Sequence, residues 1–365
     1  MMGQWPYIEP VLRRLSDNPR YVVCICRTGD RLDRQRLMVH MRSQRIGSIP
    51  IVDREDVRSV GKLFPAAAFL TCEQFSDPVC HPAICFFHGQ PSKGLTFNQP
   101  IVDRFEHFCL IGPLHEQALR EHLQDRPAKT DRRSGDSNLP HLHRCGYPKS
   151  DWVIHQNPNS DKQIPQRPKR ILYAPAFNER ATLRTIGLRL ITAVAKIDVP
   201  DNGNIELIVK LAPDSMESTN DIAATGGVDW QRAIDDLKLP NVVVVKDLAI
   251  DKHLLWADVM VTDVSGVALE MLALGKPVIY FDCPEFYRSI WEEHHRHIPF
   301  ETFLCRQTVS GLRDVANVVS SIDELTDGLR QCLLPPDRND MQRRLLYNPG
   351  AGTEAVLDVI DEVTN

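Results

Sequence analysis

Residues 257–282, ADVMVTDVSGVALEMLALGKPVIYFD, carry the pattern on which the fold turns. An apolar run rich in Val closes at Asp263, Ser265-Gly266 interrupts it, and apolar residues then recur at helical spacing up to Gly275. A second apolar run follows Lys276-Pro277. Strand, tight turn, helix and strand in so short a span describe a parallel βαβ unit. In such a unit the carboxyl end of the first strand opens where the backbone N–H groups of the helix start converge, which suits an anion. Ser265 adds a hydroxyl donor, Gly266 permits close backbone approach, and Glu270 can accept from a sugar or ribose hydroxyl. A capped helix, with Ser265 as N-cap and Glu270 facing the dipole, explains the same residues equally well.

Working outward, the same alternation fills the second half of the chain. RILYAPA (170–176), IELIVKLAP (205–213) and NVVVVKD (241–247) read as strands separated by helical segments. Five strands alternating with helices predict a Rossmann-like α/β domain. Lys210 lies near the carboxyl edge of one strand and can pair with phosphate, although a lone lysine there reads more simply as solvated surface. The first half alternates less clearly. IEPVLRRLSD (8–17) is helical, YVVCIC (21–26) reads as a buried strand, and RLMVHMRS (36–43) as a helix. GSIPIVD, AAFLTC and HPAICFFHG are strand-like, and HFCLIGPLHEQALREHL runs from strand into helix at Pro113. This predicts a second Rossmann-like domain. It lacks an opening strand before MMGQWPYIEP, so that strand is missing or the start is late. Residues 124–140 are polar and charged, a surface excursion, and residues 155–170 hold three prolines and few apolar groups, as in a linker. The expected domains are residues 1–160 and 161–365, with the terminal helix GTEAVLDVIDEV packing back on the first.

A chain of 365 residues, 42% hydrophobic and 25% charged, is long enough for two cores. The net charge of -5 gives no general attraction to nucleic acid, although Arg167–Arg170 offers a local basic run for anionic lipid. Ten cysteines without CxxC spacing point neither to a disulfide scaffold nor to zinc, and Cys72, Cys80, His81 and Cys85 read as buried fillers. No apolar run approaches the ~18 residues of a membrane span, and no signal-peptide pattern opens the chain, so a cytoplasmic location is expected.

A second chemical candidate is CFFHGQPSKG (85–94). His88 at a strand end suits proton abstraction from a hydroxyl, and Lys93 beyond Gly89 can steady phosphate charge. By itself the stretch reads better as a turn, because Gly and Pro are there to reverse the chain. His294, His295 and His297 lack metal-ligand spacing and read as an exposed segment.

Taken in order, FFHGQPSKG (86–94), GYPKSD (146–151), ILYAPAF (171–177) and LLWADVMVTDVSGVALEMLALGKPVIYFD (254–282) resemble the CDP-glycerol glycerophosphotransferase family of teichoic-acid polymerases and primases. The family patterns are roughly HGxPxK, GYPRxD, ILYAPTW and ADxxITDYSSxxFD followed by a KP-containing strand. The resemblance implies a glycosyltransferase-B-like fold, two Rossmann-like domains facing across a cleft. It implies His88 as base on the acceptor hydroxyl, with Gly89 and Lys93 beside it. Thr262, Asp263, Ser265 and Gly266 would hold the donor diphosphate, with Lys210 and Glu270 also on the donor side. The donor would be a CDP-linked polyol and the acceptor a glycan or lipid-linked hydroxyl of the cell envelope. CMP would leave, without metal or cofactor, and contact with the inner face of the cell membrane would be peripheral. This chain departs from the patterns at Ala212, where K-x-H-P has histidine, at Gly266 for the second Ser, at Glu270 for Asp, and at Phe177-Asn178 for Trp-Arg. His253 is a poor substitute for the missing histidine. Two other readings stay open. SGVALE also resembles the SGG-x-x-E loop of UDP-N-acetylglucosamine 2-epimerases, implying a nucleotide-sugar enzyme. Loss of the histidine at 212 fits a catalytically silent nucleotide-binding module.

Overall fold

The computed structural model describes residues 5–27, 38–42, 49–53, 67–72, 77–89, 93–94, 104–124, 140–157, 168–198, 205–216, 225–247, 249–331 and 337–364. The expected linker falls largely in residues 158–167 and the expected excursion in 125–139, both outside the described residues.

The first half holds helix α1 (Trp5–Ser16), a two-stranded parallel pair β1 (Ile25–Arg27) and β2 (Ile51–Asp53), and a four-stranded parallel sheet. That sheet runs in the order β3 (Phe69–Thr71), β4 (Ala83–Cys85), β5 (His107–Leu110) and β6 (His141–Arg144). Helix α2 (Pro113–Gln124) starts on its proline, whose missing N–H is no loss in a first turn, and α3 (Pro148–Gln156) does the same. YVVCIC is not the buried strand expected: pairing begins only at Ile25, and Val22 is 99% exposed. A run of β-branched residues without alternation could not reveal which of them finds a partner strand.

The second half contains β7 (Lys169–Ala174), α4 (Thr182–Ala195), β8 (Ile205–Lys210), α5 (Pro213–Met216), α6 (Trp230–Asp235), β9 (Val242–Val245), α7 (Asp251–Trp256), β10 (Val259–Thr262), α8 (Val267–Ala273) and β11 (Val278–Phe281). It continues with α9 (Pro284–Ile290), a π-helical turn (Trp291–His295), α10 (Phe300–Leu304), α11 (Gln307–Arg313), β12 (Asn317–Val319) and α12 (Ile322–Arg330). The six strands are all parallel, in spatial order β12-β11-β10-β7-β8-β9. Counted from β7 as strand one, this is the order 3-2-1-4-5-6 of a doubly wound nucleotide-binding sheet, with its switch point between β7 and β10. The sixth strand, β12, escapes the sequence reading because three residues at a sheet edge carry almost no periodic signal.

Helices α13 (Arg338–Leu345) and α14 (Gly352–Thr364) return to the first half. Val356, Val359 and Ile360 of α14 share a core with Val11, Leu15, Ile84, Phe86 and Cys109, as expected for the terminal helix. The two halves also share apolar contacts directly, since Phe87, Phe108 and Leu110 lie in one cluster with Met260, Leu269 and Met271. Among the described residues no helix is long and apolar enough to cross a membrane.

Candidate active site

The backbone at the end of β4 sets the first part of the site. Phe87 is buried and holds φ at +59°, a left-handed conformation costing a non-glycine residue about 1 kcal/mol or more. Its ring is fixed by stacking on Phe108 at 5.3 Å and by edge contact with His115 at 4.2 Å. The turn carries His88 out of the sheet to a half-buried position. His88 Nδ1 lies 3.2 Å from the Cys72 carbonyl, which can only accept, so Nδ1–H donates there. Beneath it, burial and the neighbouring His88 push the pKa of His115 down to about 3, and this neutral ring accepts the Ile111 N–H.

GYPKSD supplies the second part, each residue by a separate physical route. Gly146 has φ +105° and sits where a Cβ would lie 2.2 Å from the Tyr347 carbonyl oxygen. Tyr147 donates its hydroxyl to the His88 carbonyl at 3.0 Å and lies 3.4 Å from Glu270 Oε1. Pro148 opens α3. Lys149 Nζ meets both Glu270 oxygens, at 2.8 and 2.6 Å, with side chains only 4% and 8% exposed. Burial works against the Lys149 ammonium, but the charge of Glu270, with help from Tyr7 and Asp251, outweighs it and raises its pKa. Asp151 accepts from the backbone N–H groups of Gly352 and Thr353 at 2.9 and 2.7 Å, capping α14. Tyr7 of α1 lies edge-on to His88 at 5.7 Å, beneath the Lys149 ammonium, which is 4.8 Å from its ring centre.

The third part stands at the switch point of the larger sheet. Asp263 is fully buried and accepts from Ala176 N, Thr182 N and Thr182 Oγ1 at 2.8, 2.8 and 2.5 Å, bracing the loop after β7. Burial raises its pKa and these bonds oppose the rise. Thr262 Oγ1 is spent on the Ala174 carbonyl at 2.6 Å. Both side chains therefore frame the turn rather than face solvent. Beyond them Ser265 and Gly266 are half-buried, and the α8 start has no side-chain cap, so Ser265 is not the N-cap considered from sequence. Glu270 is turned to Lys149. Gly89 from the first half and Gly266, Leu269 and Glu270 from the second line one narrow crevice, with Tyr147 and Ser150 between them.

Two cations complete the arrangement. Lys93 leans across to Phe177, its ammonium 5.7 Å from the ring centre, and its charge is felt at Asp263. Gly94 N donates to Thr308 O at 2.9 Å, and His295 Nε2 donates to Gly94 O at 2.9 Å, so His295 is not the merely exposed residue expected. Lys210 is likewise not solvated surface. It is 5% exposed, its ammonium donates to Leu211 O at 2.8 Å, and burial lowers its pKa to about 8, with Asp247 opposing and Lys149 assisting. His253 is buried and contacts Asp247 Oδ2 through Nε2 at 2.7 Å. The structure thus links the His88 carbonyl to Glu270 through Tyr147, lines one crevice with Gly89, Gly266 and Glu270, sets Lys93 against Phe177 and Lys210 within electrostatic reach of Lys149, and spends Thr262 and Asp263 on the frame. Sequence reasoning assigned no role to Tyr7, Tyr147, Lys149 or Asp151; the quoted GYPKSD window was the only signal for three of them.

The family profile described as CDP-Glycerol:Poly(glycerophosphate) glycerophosphotransferase matches residues 136–333, more than half of the chain. A search of curated proteins finds no match. Among solved structures, a variant of the wall teichoic acid polymerase TagF aligns over 99% of this chain and 93% of its own, at 12% identity and a TM-score of 0.55. A UDP-N-acetylglucosamine 2-epimerase from Neisseria meningitidis aligns over 99% and 98%, at 12% identity and a TM-score of 0.56. One described as a putative UDP-N-acetylglucosamine 2-epimerase, from Listeria monocytogenes, aligns over 99% and 94%, at 13% identity and a TM-score of 0.58. At these identities the structures bear on the fold alone, and that fold is the glycosyltransferase-B-like pair of α/β units.

Proposed function

Because the chain belongs to the CDP-glycerol:poly(glycerophosphate) glycerophosphotransferase family, we propose that it moves a glycerol-phosphate-type group from a CDP-linked donor to a hydroxyl of a cell-envelope glycan or lipid-linked acceptor. The acceptor oxygen attacks the phosphorus that bears the polyol, and the bond from that phosphorus to the oxygen bridging to CMP breaks. Its electron pair leaves on the CMP phosphate. His88 Nε2 takes the acceptor proton, and the bond from Nδ1 to Cys72 O steadies the imidazolium that forms. Ser265 and Gly266 line the donor diphosphate side, with Lys210 and Lys93 supplying positive charge as it develops. Residues 1–160 serve as the acceptor side and 161–365 as the donor side. With a lipid-linked acceptor, the protein works in the cytoplasm, peripherally, at the inner membrane face.

The observation that supports this reading is the family match over residues 136–333, beside which Gly89, next to His88, and Gly266, next to Ser265, line one small crevice. Chemistry shared between the two halves would depend on both closing on the reactants, which orients them and excludes water. The test is a donor screen: CDP-glycerol and CDP-ribitol are expected to raise the melting temperature and, with acceptor, to release CMP. Stabilisation by UDP-sugars alone would instead favour the nucleotide-sugar enzyme suggested by SGVALE. CDP binding without turnover on a broad acceptor panel would favour a silent module.

A further inference from the structure

We propose that Tyr147, Lys149 and Glu270 form a positioning tether that sets the His88 loop against the donor turn, and that Glu270 is a tether residue rather than a ribose ligand. The inference rests on the reading of His88 as the base. Its geometry is independent of that reading. Glu270 sits on α8, directly after the Ser265-Gly266 turn, and both its carboxylate oxygens are held by Lys149 from α3. Two residues earlier, at the N-cap of α3, Tyr147 reaches the main-chain carbonyl of His88 itself, so three contacts join the base, α3 and the donor helix in one chain.

Stability alone does not account for such a pair. A buried ion pair contributes little over two apolar groups of the same volume, because desolvating two charges offsets most of their attraction. What the pair does supply is direction. With side chains only 4% and 8% exposed, the ammonium held between both Glu270 oxygens fixes which parts of α3 and α8 meet, because sliding them apart would strand a buried charge, a penalty apolar packing does not impose. A second carboxylate strengthens the case. Asp251 Oδ1 is buried without a hydrogen-bond partner among the described residues, and its charge acts on Lys149, Glu270, Tyr7 and Tyr147. Lys149 therefore lies within electrostatic reach of two acidic groups, Glu270 and Asp251.

The test uses Tyr147→Phe, Lys149→Met, Glu270→Gln and the double variant Lys149→Met/Glu270→Gln in the full chain. With CDP-glycerol and acceptor, each is expected to lower kcat by about 10- to 100-fold, the scale of an ångström-sized misplacement. CDP affinity by calorimetry and donor KM should change less than about threefold, and the double variant should lose no more than the worse single one. A tenfold weaker CDP affinity in Glu270→Gln, with Lys149→Met unaffected, makes Glu270 a ribose ligand and overturns the tether. So do multiplicative losses, or an unchanged kcat in Tyr147→Phe. Should Lys149→Met fail to fold, the double variant, which leaves no charge unpaired between the two, and Tyr147→Phe decide. Amide exchange gives a readout independent of activity: residues 86–89 should exchange faster in every variant while β10 keeps its protection. Unchanged protection at 86–89 also overturns the tether. If the wild type turns over no CDP-linked donor, the transferase reading fails by itself, and exchange alone settles the tether.

Discussion

Lys210 and Lys149 are both buried, yet burial lowers Lys210 to about 8 while Glu270 keeps Lys149 charged. If Lys210 steadies donor phosphate as an ammonium, its charge is lost as pH rises through its pKa, so kcat/KM should fall about tenfold per unit above pH ~8. Lys210→Arg should move that limb upward. A pH–rate profile that stays flat to pH 10 would exclude the role. His115 works in the opposite range. Its folded pKa of about 3 lies below the unfolded value near 6.5, so the unfolded chain binds more protons between them, and stability falls as pH drops through that window. Between pH 7 and pH 5 this loss is about 2 kcal/mol. His115→Gln should flatten that part of the urea-midpoint profile, and an unaltered slope would contradict a buried neutral ring. Neither shift was legible in the sequence, where both residues carry an ordinary side chain and only packing decides their surroundings.

At the scale of elements, helix α14 is held through its N-terminus. Replacing Asp151 by Ala removes the acceptor of two helix-start N–H groups, and about 1 kcal/mol of stability should go with it, read from the denaturant midpoint. Gly146→Ala should cost more, upwards of about 2 kcal/mol, since it combines a left-handed φ with a methyl forced onto the Tyr347 carbonyl. A neutral Gly146→Ala would show that the backbone there can relax. The strands of the second half were legible because Val-rich runs bounded by Gly and Pro separate cleanly from helical spacing, and the terminal helix because it is amphipathic. The strands of the first half are three or four residues long, so the segment at 21–26 could not be placed by pattern. The Lys149–Glu270 pair joins residues 121 positions apart, and no local periodicity carries such a contact.

For the whole molecule, the order 3-2-1-4-5-6 puts the carboxyl ends of β7 and β10 side by side, and Asp263 bolts the loop after one to the end of the other. The smaller sheet ends at His88, whose carbonyl is tied through Tyr147 toward Glu270, while α13 joins the core shared by both halves and α14 packs on the first. Ordered motifs in the sequence named most of the parts. Whether they meet depends on packing between halves, where Tyr147 and Lys149 contribute what the motifs did not disclose. The central claim is that this meeting makes His88 the base of a transferase. Its most direct measurement is the rate of acceptor-dependent CMP release from CDP-glycerol by wild type and His88→Ala, with CDP affinity measured alongside. With His88 as the base, that rate should fall at least about 10²-fold in His88→Ala with CDP affinity unchanged. An equal rate in the two proteins would contradict it.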